Sequence, residues 1–232
     1  MATQRQWLVP IFVLAAIPLL LLAALILGQT SQPIYQGDTL AEWLDDYEAY
    51  PTHDRSYQAI RAIGTNALPS LLRWTAHEPS DLSCQLNEWV SNLPPTISEA
   101  RLVRHLAILD RRPGFVPRGF ELLGYDALRA VPELDRLMHA PDAPRDGYQA
   151  ATALAWIGPA GLRPLMAAAG DPKAGCRVSA ITALGYMVRT DARPALPLLR
   201  SLLTNADENI RTAATNSIEF IQREALTNAP AP

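Results

Sequence analysis

The sequence predicts an all-α protein, a right-handed α-solenoid of helical hairpins preceded by one transmembrane helix. Three observations lead to this prediction. A stretch of 21 residues near the N-terminus carries no charge, apolar residues in the rest of the chain recur with helical rather than period-two spacing, and similar segments return every 30 to 34 residues. Of the 232 residues 49% are apolar, which excludes a disordered or collagen-like chain.

The N-terminal segment 7–28 is predicted to be an uncleaved transmembrane signal-anchor, followed by a spacer at 29–37. A helix rises by about 1.5 Å per residue, so this segment spans the roughly 30 Å hydrocarbon core of a bilayer. Arg5 lies in the preceding residues 1–6, whereas six carboxylates follow the spacer before the next base. The positive-inside rule therefore predicts a single-pass protein of the inner, or cytoplasmic, membrane, with residues 1–6 in the cytoplasm and the repeat domain outside it. The alternative is a signal peptide cleaved after Gly28, which would give a secreted protein.

The first helix after the spacer is predicted to begin at a capping box. Thr39 precedes Glu42 by three residues, the spacing at which each side chain binds the backbone N–H of the other residue. Thr96 and Glu99 repeat this spacing ahead of a second helical run. Four apolar residues after Thr39 have the spacing of one helix face and predict an amphipathic helix: Leu40, Trp43, Leu44 and Tyr47.

Self-similar segments make up most of the remaining chain. Each joins a helix of small residues, through a turn, to a helix rich in proline and leucine, and they begin at Ser56, Arg118, Tyr148 and Cys176. A fifth segment, from Asn209, supplies only the first helix. Gly124 and Gly158 are 34 residues apart, and Leu154 and Leu184 are 30 apart. A two-helix unit of this length cannot bury its apolar face alone, so neighbouring units are expected to stack.

These segments set the predicted domain boundaries. Residues 38–225 form the repeat domain, and residues 226–232 form a disordered tail. Within the domain, an insert at about 78–117 does not follow the standard unit.

Four prolines are aligned as equivalent positions near the start of the second helix of each unit: Pro69, Pro132, Pro164 and Pro197. Proline suits the first turn of a helix, where its missing N–H has no partner to lose. The positions two and five residues later are predicted to lie in the core: Leu71, Leu134, Met166 and Leu199, then Trp74, Leu137, Ala169 and Leu202. The position four residues later is predicted to point away from it: Arg73, Arg136, Ala168 and Ser201.

The strings IGTNALPSLL, ALAWIGPAGLRPL and ALGYMVRTDARPALPLL resemble HEAT-repeat proteins, especially the short bacterial kind related to the phycobilisome-lyase HEAT-like repeat. The resemblance covers residues 56–221, except for the insert, and the last unit lacks the glycine and the proline helix, as a capping end does. It implies that the second helices line a concave surface that binds a protein or a peptide.

Catalytic and metal-binding motifs are missing from the sequence. It contains no HExxH, GxSxG, GxGxxG or Walker pattern. HEAT-repeat enzymes that resemble deoxyhypusine hydroxylases use several His-Glu dipeptides, whereas this chain has one, His77-Glu78. We therefore expect no enzymatic activity, no cofactor, no metal and no small-molecule substrate.

The predicted function is that of a membrane-tethered, non-catalytic scaffold that binds an unknown protein or peptide outside the cytoplasm. Arg73 and Arg136, being repeat-equivalent and on the second helices, are the predicted partner-binding residues. The alternatives are a cofactor-handling enzyme, by analogy with bilin-lyase-like relatives, and a structural envelope assembly protein.

Nucleic acid is not expected as a partner, because 20 bases face 23 carboxylates and the domain is predicted to lie outside the cytoplasm. One local basic run is interpreted as a solvated helix face: Arg101, Arg104, Arg111, Arg112 and Arg118. Contact of this run with anionic lipid headgroups or with an acidic partner remains an alternative.

Overall fold

The computed structural model describes residues 32–51, 54–76, 101–140, 147–187 and 192–227, together with position 88. The described residues are mostly helical, which confirms the all-α class. A short antiparallel hairpin of β1 (Ile34–Tyr35) and β2 (Asp38–Thr39) precedes the helices, with Ile34 opposite Thr39.

The helices of the described residues are α1 (Leu40–Ala49), α2 (Asp54–Ile63), α3 (Leu68–Thr75), α4 (Arg101–Leu123), α5 (Val131–Met138), α6 (Tyr148–Ile157), α7 (Pro159–Gly170), α8 (Arg177–Gly185), α9 (Leu196–Leu202) and α10 (Glu208–Thr227). Short 3-10 turns precede three of them: Gly64–Ala67 before α3, Gly124–Ala130 before α5 and Arg193–Ala195 before α9.

Helix α1 begins at the predicted capping box. The Thr39 backbone N–H donates to Oε2 of Glu42 at 2.7 Å, and the Glu42 N–H donates to Oγ1 of Thr39 at 3.4 Å. Leu40, Trp43 and Leu44 are buried, as their spacing predicts. The indole N–H of Trp43 donates to the carbonyl of Tyr35 at 3.0 Å and so fastens the β-hairpin to α1.

The corners between paired helices are formed by the predicted glycines and prolines. Gly64, Gly124 and Gly158 end the first helices of their pairs with positive φ angles of 55°, 52° and 97°. Residues other than glycine rarely adopt this conformation, so glycine suits these turns. Three of the aligned prolines occupy the second position of α3, α5 and α9: Pro69, Pro132 and Pro197.

Helix α7 departs from the predicted alignment. It begins at Pro159, directly after Gly158, so that Pro164 lies inside the helix and not in its first turn. The core face consequently shifts by one residue. Leu165 and Ala168 are fully buried, whereas Met166 is only partly buried. The prediction that Ala168 points away from the core is therefore wrong.

The other predicted core positions agree with the structure, except that Leu137 is only partly buried and its neighbour Met138 takes the buried position in α5. Six of the eight predicted positions are buried: Leu71, Leu134, Leu199, Trp74, Ala169 and Leu202.

The long helix α4 starts within the predicted insert. It runs through Pro113 and Pro117 without interruption and presents five apolar side chains to the core: Ile108, Phe115, Val116, Phe120 and Leu123. Residues 101–117 are therefore continuous with the first helix of the unit that follows.

Neighbouring helices pack in the order of the chain. Helix α4 contacts α1, α2 and α3, helix α6 contacts α4, α5, α7 and α8, and α10 closes the series against α8 and α9. The helices approach closely where glycine lies between them. Gly161 of α7 faces the carbonyl of Leu154 in α6, and a Cβ at Gly185 of α8 would lie 2.9 Å from Cα of Ser217 in α10.

Several sequence predictions fall outside the described residues. These are the transmembrane segment 7–28 with residues 1–6, the second capping box at Thr96 and Glu99, the dipeptide His77-Glu78, and residues 228–232 of the predicted tail. Among the helices that the structure describes, none has the length and apolar character needed to cross a bilayer.

Candidate partner-binding surface

The two predicted partner-binding residues lie on neighbouring helices. Arg73 is in the last turn of α3 and Arg136 in the last turn of α5, and both are exposed. Helices α3 and α5 contact each other directly, although more than fifty residues separate them in the sequence. The fold therefore brings the two helices together without an intervening unit between them, where two unit lengths were expected.

Arg136 is engaged by its own helix. Its Nε donates to Oε2 of Glu133 at 2.9 Å, and its Nη2 donates to Oε1 of the same carboxylate at 2.7 Å. The hydrogen bond from Arg136 and its positive charge lower the pKa of Glu133 below the ordinary value for glutamate. A partner carboxylate would share or replace this pairing, because a guanidinium has five N–H donors.

Arg73 lies beside a second arginine, Arg112 of α4. The Cζ atom of Arg112 lies 5.7 Å from the ring centroid of Trp74, the buried neighbour of Arg73 in α3. Burial lowers the pKa of Arg112 to about 10, and the positive charge of Arg73 contributes to the decrease. Arg112 still carries its charge at neutral pH, and the lowered pKa reflects an environment that disfavours this charge.

Two guanidinium nitrogens of Arg112 are enclosed. Nε and Nη2 are buried and find no hydrogen-bond acceptor. Burying N–H donors of a charged group without acceptors is unfavourable. Arg112 is only partly buried as a residue, so this arrangement lies at the edge of the α3–α4 contact and not in the centre of the core.

The other arginines described in the basic run have carboxylate partners. Arg111 forms ion pairs with Asp45 and, at 3.7 Å, with Glu48, both on α1. Arg118 pairs with Glu121. The rings of Tyr47 and Trp156 lie 6.0 and 5.9 Å from the Cζ atom of Arg118. Arg111, Arg112 and Arg118 therefore do not form one solvated face, and that interpretation is wrong for these three. The side chains of Arg101 and Arg104 lie outside the described part of the chain.

Glu48 shows the effect of burial at the α1–α4 contact. Burial raises the pKa of Glu48 above the ordinary value for glutamate, although the charges of Arg111 and Arg118 lower it, and the charge of Asp45 adds to the increase. The carboxylate is therefore easier to protonate in the folded protein than in the unfolded chain.

No protein-family model matches the chain, and no curated protein matches it. The resemblance to HEAT-repeat proteins accordingly depends on the repeated strings of the sequence itself.

Arg112 is the residue that sequence reasoning missed. Ile108, Arg112, Phe115 and Phe120 fall at the spacing of one helix face, and the three apolar members of this set are buried. The helical period would thus have placed an arginine on an apolar stripe. Grouping the arginines as a run of charge concealed this position.

The described residues contain no group of three histidine, cysteine, aspartate or glutamate side chains close enough to bind one metal ion. The chemistry of the α3–α5 surface is therefore that of guanidinium groups, which bind carboxylates and phosphates by paired hydrogen bonds.

Proposed function

We propose that the protein is a membrane-tethered, right-handed α-solenoid of HEAT-like repeats. It acts as a non-catalytic scaffold and binds a protein or a peptide outside the cytoplasm. The observation that carries the proposal is the presence of exposed arginines, Arg73 and Arg136, at the same place in two adjacent second helices. Solenoids bind partners through extended surfaces of this kind.

The packing order supports the solenoid. The helices that open each pair contact one another in succession, from α4 to α6, α8 and α10, and the helices that close the pairs contact one another from α3 to α5 and α7. Two rows of helices, each in contact mainly with its sequence neighbours, are typical of stacked repeats.

The polar outer side of α10 supports a capped end. Ala213, Ala214 and Ser217 face the preceding helices, whereas Thr212, Thr215 and other polar side chains are exposed. A terminal repeat needs such a polar surface to remain soluble.

The tether is inferred from the sequence. The charge-free segment 7–28 is long enough to cross the bilayer, and the residues that follow it are acidic up to Asp54. In this topology the arginines of α3 and α5 meet partners outside the cytoplasm, where nucleic acid is not available.

Affinity purification in a mild detergent tests the proposed function. The full chain should retain a stoichiometric protein partner, and the double variant Arg73→Ala, Arg136→Ala should lose it. Because exposed substitutions usually change the free energy of unfolding by less than about 0.5 kcal/mol, the thermal midpoint should remain almost constant.

The matched control is the double variant Arg129→Ala, Arg223→Ala, which removes two exposed arginines elsewhere and causes the same change of net charge. Unchanged capture by the Arg73→Ala, Arg136→Ala variant would show that the assigned surface is wrong. A bound chromophore in place of a protein would favour the cofactor-handling alternative.

A further inference from the structure

Arg112 is a charged group whose surroundings do not neutralise it. Its Nε and Nη2 atoms are buried and have no hydrogen-bond acceptor. The ring of Trp74 covers one side of the guanidinium, with 5.7 Å between Cζ and the ring centroid. An aromatic face stabilises a cation but accepts none of the directional hydrogen bonds that the N–H groups offer.

Other arginines on the same surfaces differ from Arg112 in their partners. Arg111 has Asp45 and Glu48, Arg118 has Glu121, and Arg136 has Glu133. The charge that acts on Arg112 comes instead from another guanidinium, that of Arg73. Like charges side by side at the contact of α3 and α4 repel each other, and an anion placed between them relieves this repulsion.

We propose that Arg73 and Arg112 form a binding pair for a carboxylate, with Trp74 beneath it, and that the partner supplies this carboxylate from an acidic side chain or from its C-terminus. Arg73 is exposed and Arg112 is partly exposed, so the anion approaches from the solvent side of the α3–α4 contact. A carboxylate between two guanidinium groups accepts hydrogen bonds from both and cancels their repulsion. The inference rests on the proposed function, because it names the chemistry that the partner brings to the same surface.

Binding of a fluorescent peptide with four consecutive glutamates to the full chain in neutral detergent tests this pair. The wild-type protein should bind the peptide and should not bind a matched peptide with four glutamines. Arg112→Gln should weaken binding about tenfold or more, the usual effect of losing a hydrogen bond to a charged group. Arg112→Lys should restore only part of the loss, since an ammonium group lacks the planar fork of the guanidinium.

Arg129→Gln is the control, because it removes one exposed arginine from the 3-10 turn before α5 with the same change of net charge. An equal loss of binding in this variant would mean that the peptide senses only the overall charge, which would overturn the pair. Circular dichroism and the thermal midpoint establish that each variant is folded.

A second arm uses inorganic phosphate in place of the peptide. If phosphate raises the thermal midpoint in an Arg112-dependent manner and the glutamate peptide does not bind, the carboxylate assignment is overturned in favour of phosphate. The peptide assay needs no natural partner, so its outcome is independent of partner capture. Lost capture in the Arg73→Ala, Arg136→Ala variant together with no binding of the glutamate peptide would contradict the carboxylate pair alone. The opposite combination would contradict the proposed function.

Discussion

Two consecutive arginines of α4 occupy opposite electrostatic environments. Arg111 lies between the carboxylates of Asp45 and Glu48, whereas Arg112 lies between an aromatic ring and a second guanidinium, that of Arg73. The sequence shows only two adjacent positive charges. The helical period separates them, since adjacent residues point about 100° apart around a helix.

We predict opposite effects on stability for the same substitution at these two positions. Arg112→Met should raise the free energy of unfolding by about 1 kcal/mol, because an uncompensated charge is replaced by an apolar side chain of similar length. Arg111→Met should lower it by up to about 1 kcal/mol, since a partly exposed ion pair is lost. Urea denaturation of both variants measures the difference. A destabilised Arg112→Met protein would show that the guanidinium serves packing and not anion binding.

Glu48 gives a prediction on pH dependence. Its pKa is raised in the folded protein, mainly by burial, so the folded state binds a proton more readily than the unfolded chain. The stabilisation from this proton is complete below the unfolded pKa and is lost as the pH rises through the folded pKa. Glu48→Gln, which resembles the protonated form, should therefore raise the thermal midpoint at pH 7.

The same comparison in acid provides the control. Below the pKa of Glu48 the wild-type side chain is itself protonated, so the difference in thermal midpoint between wild type and variant should disappear. A difference of equal size at neutral and acidic pH would mean that the charge of Glu48 is not responsible.

At the scale of helices, close approach depends on particular glycines. Gly161 in α7 faces the carbonyl oxygen of Leu154 in α6, and a Cβ there would overlap this backbone atom. Gly114 in α4 is exposed, and a Cβ added to it would meet no neighbouring atom within 4 Å. The two positions therefore separate packing from helix propensity.

We predict that Gly161→Ala lowers the free energy of unfolding by about 2 kcal/mol, because α6 and α7 must move apart to admit the methyl group. Gly114→Ala should raise it by about 1 kcal/mol, since alanine favours the helix and meets no neighbour. Chemical denaturation of the two variants checks both values. Equal effects at the two positions would contradict the α6–α7 packing.

The helix boundaries also show how far the sequence predicts this fold. Glycines at the corners and prolines in the first turns locate α3, α5 and α9, because each residue type has one conformational advantage there. Helix α7 escapes this reasoning. Pro159 directly follows Gly158 and takes the first helical position itself, so Pro164 falls inside the helix and the buried face shifts by one residue.

At the candidate surface, the exposure of Arg73 and Arg136 follows from the repeat alignment, and the structure agrees. Their proximity does not follow from it. The contact of α3 with α5 depends on how the long helix α4 packs between the units, and the pattern of charges in 101–118 gives no indication of that packing. Tertiary packing decides which member of a charge run is solvated, paired or enclosed.

For the whole molecule, the central claim is that one side of the stacked helices, the side of α3 and α5, meets a protein partner outside the cytoplasm. Ala76 and His139 lie three residues after Arg73 and Arg136, are exposed, and share their helix faces. Gln58 of α2 and Thr215 of α10 are exposed on first helices and serve as controls.

Site-specific photocrosslinking in the cells that produce the protein tests this claim most directly. A photoreactive residue at position 76 or 139 should form an adduct with the same extracytoplasmic protein, and one at position 58 or 215 should form none. Equal adduct yields from all four positions, or adducts from 58 and 215 alone, would contradict the claim.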